Sequence, residues 1–340
     1  MTPYESNTTL AAIADKLRSA QRIVITTHAK PDGDALGSVV ALAEALESMG
    51  KTAERWVMPP VPGNLSMLAR DGHLHRYETE ADPLPEGEPD AIVIVDTGAW
   101  TQLAPMRAWL EPRRERAILL DHHLRGDDVA ALRYIDSSAA AAAQIVAALI
   151  DELGVEYDDV MRDAIYVGIA SDTGWFRFSN TTAETHELAA RLLRLGVDHA
   201  ELYAKLEQAE RPEKLQLMIR ALDSLKLIAD GNVAVMTLRR SDFEDTGAIQ
   251  EETERLVDLP QVVGDVQVVV LITETDNGPV RLSFRSKPGV EAVDVNELAR
   301  QFGGGGHARA AGARVDAPLD EVRRRVFEAA EQLHAARATQ

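Results

Sequence analysis

Apolar residues in this chain gather into short blocks that do not alternate with polar ones. Ile23-Val24-Ile25, Ala91–Val95 and Ala117–Leu120 are three such blocks, rich in β-branched side chains. A strand exposed on one face would alternate, so these blocks predict strands covered on both faces, the habit of parallel sheets. Between and after them the apolar period lengthens to that of helices. Helices are expected over Ala35–Met49 (closed by Gly50), Asp136–Leu153, Asp158–Ala170 and Glu184–Leu195, the last behind a capping box in Thr181-Thr182-Ala183-Glu184. With a further strand over Thr52–Met58 and a short helix from Asn64 to about Arg70, the order predicts an α/β domain: a doubly wound, mainly parallel sheet with helices on both faces. From Val197 to Leu227 the pattern is helical and heavily charged, broken at Arg211-Pro212. Beyond it, Val233–Leu238, Val266–Thr273 and Val280–Phe284 read as strands, with a hairpin turn at Asp276-Asn277-Gly278. Helices over Asp294–Phe302 and Leu319–Ala336 complete a smaller α+β domain. The expected division is a first domain over 1–195, a helical connector over 196–227 and a second domain over 228–340.

The polar residues that interrupt these blocks are of one chemical kind. The first strand runs into His28-Ala29-Lys30-Pro31-Asp32-Gly33-Asp34, the second ends on Asp96, and the third on Asp121-His122-His123. A helical stretch, Tyr166–Ala170, is followed by Ser171-Asp172-Thr173-Gly174. Ligands of open parallel sheets lie beyond the carboxyl ends of the strands. Ionisable groups at those ends therefore build one site from distant sequence. Several acids and imidazoles in one place require cations to balance them, which predicts a two-metal site. The chain has no cysteine, so its metal ligands must be oxygen and imidazole. Mixed imidazole and carboxylate donors suit Mn²⁺, with Mg²⁺, Co²⁺ or Fe²⁺ as other choices.

Composition narrows the partners. There are 36 Lys and Arg against 55 Asp and Glu, a net charge of −19, and no basic block stands out. A protein that tracks long nucleic acid gains affinity by neutralising many phosphates, so short or mononucleotide substrates are favoured over long duplexes. No apolar run is long enough to span a bilayer, and Met-Thr-Pro-Tyr-Glu lacks the regions of a secretory signal. A cytoplasmic monomer or homodimer is the expectation.

His-x-x-x-Asp-x-Asp, the lone Asp after a strand, Asp-His-His and Ser-Asp-Thr-Gly resemble, in order, the four motifs of the DHH phosphoesterases. Phe302-Gly303-Gly304-Gly305-Gly306-His307 with Ala310-Ala311-Gly312 resembles that family's DHH-associated substrate-binding subdomain. The resemblance implies that His28, Asp32 and Asp96 hold one metal, usually Mn²⁺, and that Asp34, Asp96, His122 and Asp172 hold the other. It implies that His123 faces the substrate and protonates the leaving oxygen. Its alternatives are a third ligand or a structural hydrogen bond. Asp121 either buttresses an imidazole or caps a turn. In the second domain, Arg285 and Ser286 resemble the family's phosphate contact, and Gly304, Gly305, Gly306 and His307 would cradle the anion. A cleft between the domains would close about the connector.

The run Thr173–Thr181 looks like the nano-RNase/pAp-phosphatase branch of the family. That branch implies hydrolysis of very short 5′-phosphorylated oligoribonucleotides, including linear dinucleotides, and of 3′-phosphoadenosine 5′-phosphate. A RecJ-type single-strand DNA exonuclease, an inorganic pyrophosphatase, a cyclic dinucleotide phosphodiesterase and a non-enzymatic nucleotide sensor are the other readings. Trp175, Phe176 and Phe178 either pack in the core or stack a nucleobase. His73-Leu74-His75 and His186 are expected at the surface, and Arg309 stays unassigned.

Overall fold

A computed structural model describes residues 4–68, 73–78, 82–276, 278–289 and 293–338. The chain divides into two compact units, 1–209 and 210–340.

In the first unit the elements are α1 (Leu10–Ser19), β1 (Arg22–Ala29), α2 (Gly33–Ser48), β2 (Thr52–Met58), β3 (Leu74–Arg76), β4 (Ala91–Val95), α3 (Arg107–Leu110), β5 (Ala117–Asp121), β6 (Leu132–Ile135), α4 (Ala142–Leu153), α5 (Asp159–Asp172), α6 (Ala183–Arg194) and α7 (His199–Glu207). The strands form one parallel sheet in the order β3-β2-β1-β4-β5-β6. β4 and most of β1 are buried on both sides, as non-alternating blocks require. One face carries α1, α2, α4 and α5 over a core that includes Ile25, Leu42, Val93, Leu149 and Ile165. The other face packs Val24, Ile92 and Leu119 against Met106, Trp109 and Leu110. The chain winds outward from β1 to β2 and β3, then returns to place β4 on the other side of β1. Connections leave β1 and β4 in opposite directions, which opens a crevice at their carboxyl ends.

The second unit contains α8 (Pro212–Asp223), β7 (Lys226–Ile228), β8 (Val233–Leu238), α9 (Arg240–Thr246), β9 (Val268–Thr273), β10 (Val280–Ser286), α10 (Val295–Arg300), β11 (Gly305–Gly306), β12 (Ala310–Val315) and α11 (Leu319–Ala338). Its mixed sheet runs β11-β12-β10-β9-β8-β7, with only β8 and β9 parallel. Phe284, Leu298, Val322 and Val326 fill one face, and Leu217, Met236, Phe243 and Leu256 the other.

Several local expectations need correction. The helical stretch expected to connect the domains is parted between them: Leu202 and Leu206 of α7 join the first core, Leu217 and Ala221 of α8 a core of the second. Asp136-Ser137 opens a turn rather than a helix, because the Asp136 side chain takes the Ser138 amide and hydroxyl, and α4 begins only at Ala142. The capping box is Thr182 with Thr185, not with Glu184. Asn64 spends its side chain on the Leu206 carbonyl. Arg70 and Asn277 lie outside the described residues, although β9 and β10 pair antiparallel as a hairpin should. Two of the four glycines form a strand: Gly305 and Gly306 pair with Gly312 and Ala311 of β12.

Small residues set the distance between α2 and α5. A Cβ at Gly37 would overlap the Ala164 carbonyl, and one at Gly33 would overlap the Ser171 side chain. Gly37→Ala gains about 1 kcal/mol of helix propensity but forces apart a packed contact, a cost of about 1–3 kcal/mol. Net destabilisation is the expected outcome in urea unfolding, and an equal or higher midpoint would show that the helices have room to spare.

Candidate metal centre

Each acidic group is delivered by the element that carries it. Asp32 is the N-cap of α2, its Oδ1 accepting from the amides of Asp34 (3.1 Å) and Ala35 (3.0 Å), while its side chain stays largely exposed. The cap is therefore Asp32, which frees Asp34 to point inward from the first turn. Asp34 is buried, with Oδ2 accepting from Ala142 N (2.6 Å) and Oδ1 from Ala143 N (2.8 Å). Those are orphan amides at the start of α4, where the helix favours a negative charge. Asp172 closes α5, and the close α2–α5 contact brings it to the same place.

Asp96 leaves β4 with φ 62°, a left-handed conformation uncommon outside glycine. That turn aims the buried carboxylate between two imidazoles. His28 Nε2 stands 3.4 Å from Asp96 Oδ2 and 3.9 Å from Asp32 Oδ1. His122 Nε2 stands 3.3 Å from Asp96 Oδ1, 3.7 Å from Asp172 Oδ2 and 3.9 Å from Asp34 Oδ2. Both rings face backbone carbonyls through Nδ1, His28 at 3.0 Å from Ala29 O and His122 at 3.3 Å from Ala139 O. A carbonyl only accepts, so Nδ1 carries a proton in both rings, and Nε2 is the nitrogen that can give up its proton and offer a lone pair to a ligand.

Three donor groups result, His28 with Asp32 and Asp96, Asp34 with His122 and Asp172, and Asp96 with His122 and His123, the donor atoms within each lying within 4.8 Å of one another. Asp96 faces the second group as well, through its other oxygen. That oxygen, Oδ1, is buried and accepts no hydrogen bond. Among the described residues, the ion-pair partners of Asp32, Asp34, Asp96 and Asp172 are imidazoles alone. Asp96 thus turns Oδ2 toward His28 and the orphaned Oδ1 toward His122, an arrangement that fits a divalent cation on each side.

His123 differs from its neighbour. Its Nδ1 is taken by Asp121 Oδ1 at 2.8 Å, and its ring is half exposed. The same Nδ1 is the atom nearest Asp96, at 3.9 Å. Asp121 is fully buried, and its Oδ1 also accepts from the amides of His122 (2.8 Å) and His123 (3.2 Å). The turn-capping and imidazole-buttressing readings of Asp121 thus describe one carboxylate. Its Oδ2 accepts from the Tyr4 hydroxyl, a partner that no sequence signal indicated.

Trp175 and Phe176 pack against the core, whereas the Phe178 ring is half exposed and lies over Gly174. His73 contacts Arg55, His75 stacks on Trp56 and His186 stacks on Phe176, so none of them joins the cluster. In the second unit, Arg285 contacts Asp258 at 3.4 Å, and Ser286 is buried with Oγ donating to Ala308 O (3.3 Å). The turn from His307 to Arg309 lies at the end of β10, where Ser286 N donates to Arg309 O (3.1 Å). Gly305, Gly306 and His307 are exposed there, and Gly304 is half-buried.

The DHH family, N-terminal domain, matches residues 22–169, and the DHHA1 domain matches residues 230–336. A bifunctional oligoribonuclease and PAP phosphatase NrnA of Thermus thermophilus is 36% identical over 93% of this chain and 92% of its own. The chain belongs to the DHH family. The NrnA of Bacillus subtilis is 27% identical over 86% of this chain and 89% of its own. An exopolyphosphatase-related protein from Bacteroides fragilis superposes with a TM-score of 0.86 at 25% identity, covering 99% of both chains. An exonuclease RecJ bound to manganese shares the fold, with a TM-score of 0.54 at 18% identity over 96% of this chain and 94% of that one.

The cluster holds protons where a cation would otherwise stand. Burial opposes charge on His28, yet Asp96, the Ala29 carbonyl and Asp32 lift it to about 9. Burial likewise opposes charge on His122, and Asp96, Asp34 and Asp172 lift it to about 10. Burial, with Asp96 and Asp32, pushes Asp172 up to about 6. Burial with the neighbouring carboxylates also raises Asp34, while the two imidazoles hold Asp96 low against its burial. Groups raised on folding add stability below their ordinary values and lose it as pH rises through the folded ones. For the imidazoles that window runs from 6.5 upward to about 9 and about 10. Metal-free protein should therefore lose melting temperature from about pH 6.5 up to about pH 9–10. A cation competes with these protons, so the Tm gained on adding Mn²⁺ should grow over the same range. A gain independent of pH would place the ion elsewhere.

Proposed function

We propose that this chain is a phosphoester hydrolase that cuts short 5′-phosphorylated oligoribonucleotides of two to five residues, linear dinucleotides among them, to mononucleotides. The same site removes the 3′-phosphate of 3′-phosphoadenosine 5′-phosphate. One observation carries the reading: two imidazole–carboxylate donor sets share Asp96 at the crevice between β1 and β4. Its support is a relative named for both activities, matched over nearly its whole length. The RecJ-type reading has a likeness of fold alone behind it.

His28, Asp32 and Asp96 would hold one divalent cation, and Asp34, Asp96, His122 and Asp172 the other, Mn²⁺ being the ion their mixed donors suit best. When bound, such a pair of ions acidifies water and neutralises charge on a phosphoryl group. The protein's own groups do the rest. Asp121 holds His123 by Nδ1, so Nε2 is the nitrogen left to donate a proton to the leaving oxygen. Arg285, Ser286, Gly304, Gly305, Gly306 and His307 take a phosphate of the substrate. A net charge of −19 repels the further phosphates of a long strand, so length beyond that contact brings little affinity.

A panel of pAp, 5′-phosphorylated di- to pentanucleotides and long single strands, each with Mn²⁺, tests the assignment. Rates should be highest at two to five nucleotides, and equal rates on a dinucleotide and a long strand would remove it. Single variants separate the roles. Asp96→Ala should abolish turnover, and His122→Ala should lower metal content. His123→Ala should retain its metals while losing about 10²–10⁴-fold in rate, with part of the loss restored on a nitrophenyl ester. Equal loss of metal in both histidine variants would make His123 a ligand instead.

A further inference from the structure

Tyr4 reaches the centre from far outside the sequence blocks that build it. Its hydroxyl donates to Oδ2 of Asp121, a carboxylate 117 positions away and wholly buried. The segment that carries Tyr4 is guided along the free edge of β6. Ser6 and Asn7 zip to that strand: Ser6 Oγ donates to Ile135 O (3.0 Å) and accepts from Ile135 N (2.8 Å). Asn7 N donates to Arg133 O (2.9 Å), and Asn7 Oδ1 accepts from Arg133 N (2.7 Å). The ring then enters a slot between the loops that follow β4 and β5. A Cβ at Gly98 or at Gly126 would overlap it. Those two loops are laced to each other, Asp127 N donating to Gly98 O (2.7 Å) and Trp100 N to Asp127 Oδ2 (2.8 Å).

The consequence falls on His123. Three N–H groups converge on Asp121 Oδ1, one of them His123 Nδ1, and the Tyr4 hydroxyl takes Oδ2. With both oxygens engaged the carboxylate cannot turn about its own axis. Without the hydroxyl, a buried acceptor loses its donor, a cost that drives the carboxylate to rotate or the site to admit water. Either response loosens the bond to an imidazole that is otherwise half exposed.

We propose that Tyr4 is a positioning residue for His123, acting through Asp121, so that the N-terminal segment is a working part of the centre. The proposal rests on the reading of His123 as the proton donor to the leaving oxygen. A misplacement of that donor lowers the rate without changing the hold on metal or substrate.

Tyr4→Phe tests it, since the ring still fills the slot and only the hydroxyl is lost. On a dinucleotide, kcat should fall about tenfold or more with KM and metal content unchanged, a fraction of what losing a general acid costs. On a nitrophenyl ester the loss should shrink. In a His123→Ala background, Tyr4→Phe should cost nothing further, whereas an equal loss in both backgrounds would mean that Tyr4 supports only the fold and would overturn the proposal. Gly126→Ala, which crowds the ring from the other side, should give the same pattern by a different route. A readout independent of turnover is the His123 Hδ1 proton resonance of the metal-free protein. It should move in Tyr4→Phe, and an unmoved resonance overturns the proposal whatever reaction is catalysed. A moved resonance with unaltered rates on every substrate would keep Tyr4's hold on the ring and remove His123 from the chemistry.

Discussion

Four carboxylates drawn to one point, Asp34 and Asp96 of them all but removed from water, are the constraint to which the first unit is built. Burying one unpaired carboxylate costs several kcal/mol, and no guanidinium or ammonium is brought in among the described residues to offset these. The offsets are instead oriented dipoles and imidazoles. Asp34 rests on the first amides of α4, Asp32 on those of α2, and Asp96 lies between His28 and His122. Such partners soften the charge without neutralising it, which leaves the centre in want of cations. A lysine would satisfy the same acids and end the chemistry.

Backbone strain gathers around the same point. Lys30, Asp96, Trp175 and Phe176 all have positive φ, and Gly174 precedes the aromatic pair with φ 54°. Left-handed backbone costs a residue with a side chain about 1–2 kcal/mol, and such outliers persist only where packing over-determines them. Here it does: the Trp175 ring meets Tyr203 at 4.8 Å and its Nε1 donates to Glu207 (2.9 Å), while Phe176 lies between Tyr166 and His186. The aromatic run therefore anchors a tight left-handed turn just behind Asp172. This accounts for Trp175 and Phe176 without a nucleobase, and leaves Phe178 as the most exposed aromatic of that run.

The sheet was legible in the sequence because burial on both faces leaves no alternation, and the acids were legible because each stands just past such a block or, for Asp172, at the end of a helical stretch. Asp96 needed only the end of Ala91–Val95 to be noticed. What the sequence concealed depends on contacts that have no local pattern. Tyr4 is a lone tyrosine in a polar segment, and its only trace is the smallness of Gly98 and Gly126. The late start of α4 hid in an alanine run equally suited to helix, decided by where Asp34 finds its amides. β3, β6, β7, β11 and β12 were missed because short edge strands and glycine-rich strands carry too few apolar residues to register. The two-unit division fell inside the expected connector because α7 and α8 each have an apolar face, and helical period does not say which core that face will join.

The glycines near the end of the chain are required by packing. A Cβ at Gly304 would overlap the Gly312 carbonyl, and one at Gly306 would crowd Ala310 and Ala311. Their smallness thus lets β11 lie against β12, which fixes the turn that presents His307 beside the end of β10. The cationic partner there is neither free nor firmly bound. Arg285 is oriented by Asp258 at 3.4 Å, with both side chains more than a third exposed. Ion pairs of that kind contribute about 0–1 kcal/mol, so Asp258 holds the guanidinium only weakly, and its Nη1 also donates to the Phe284 carbonyl (3.1 Å). Ser286, by contrast, is buried with its hydroxyl committed to the Ala308 carbonyl. Its hydroxyl holds the turn from within, whereas the arginine beside it stays partly exposed.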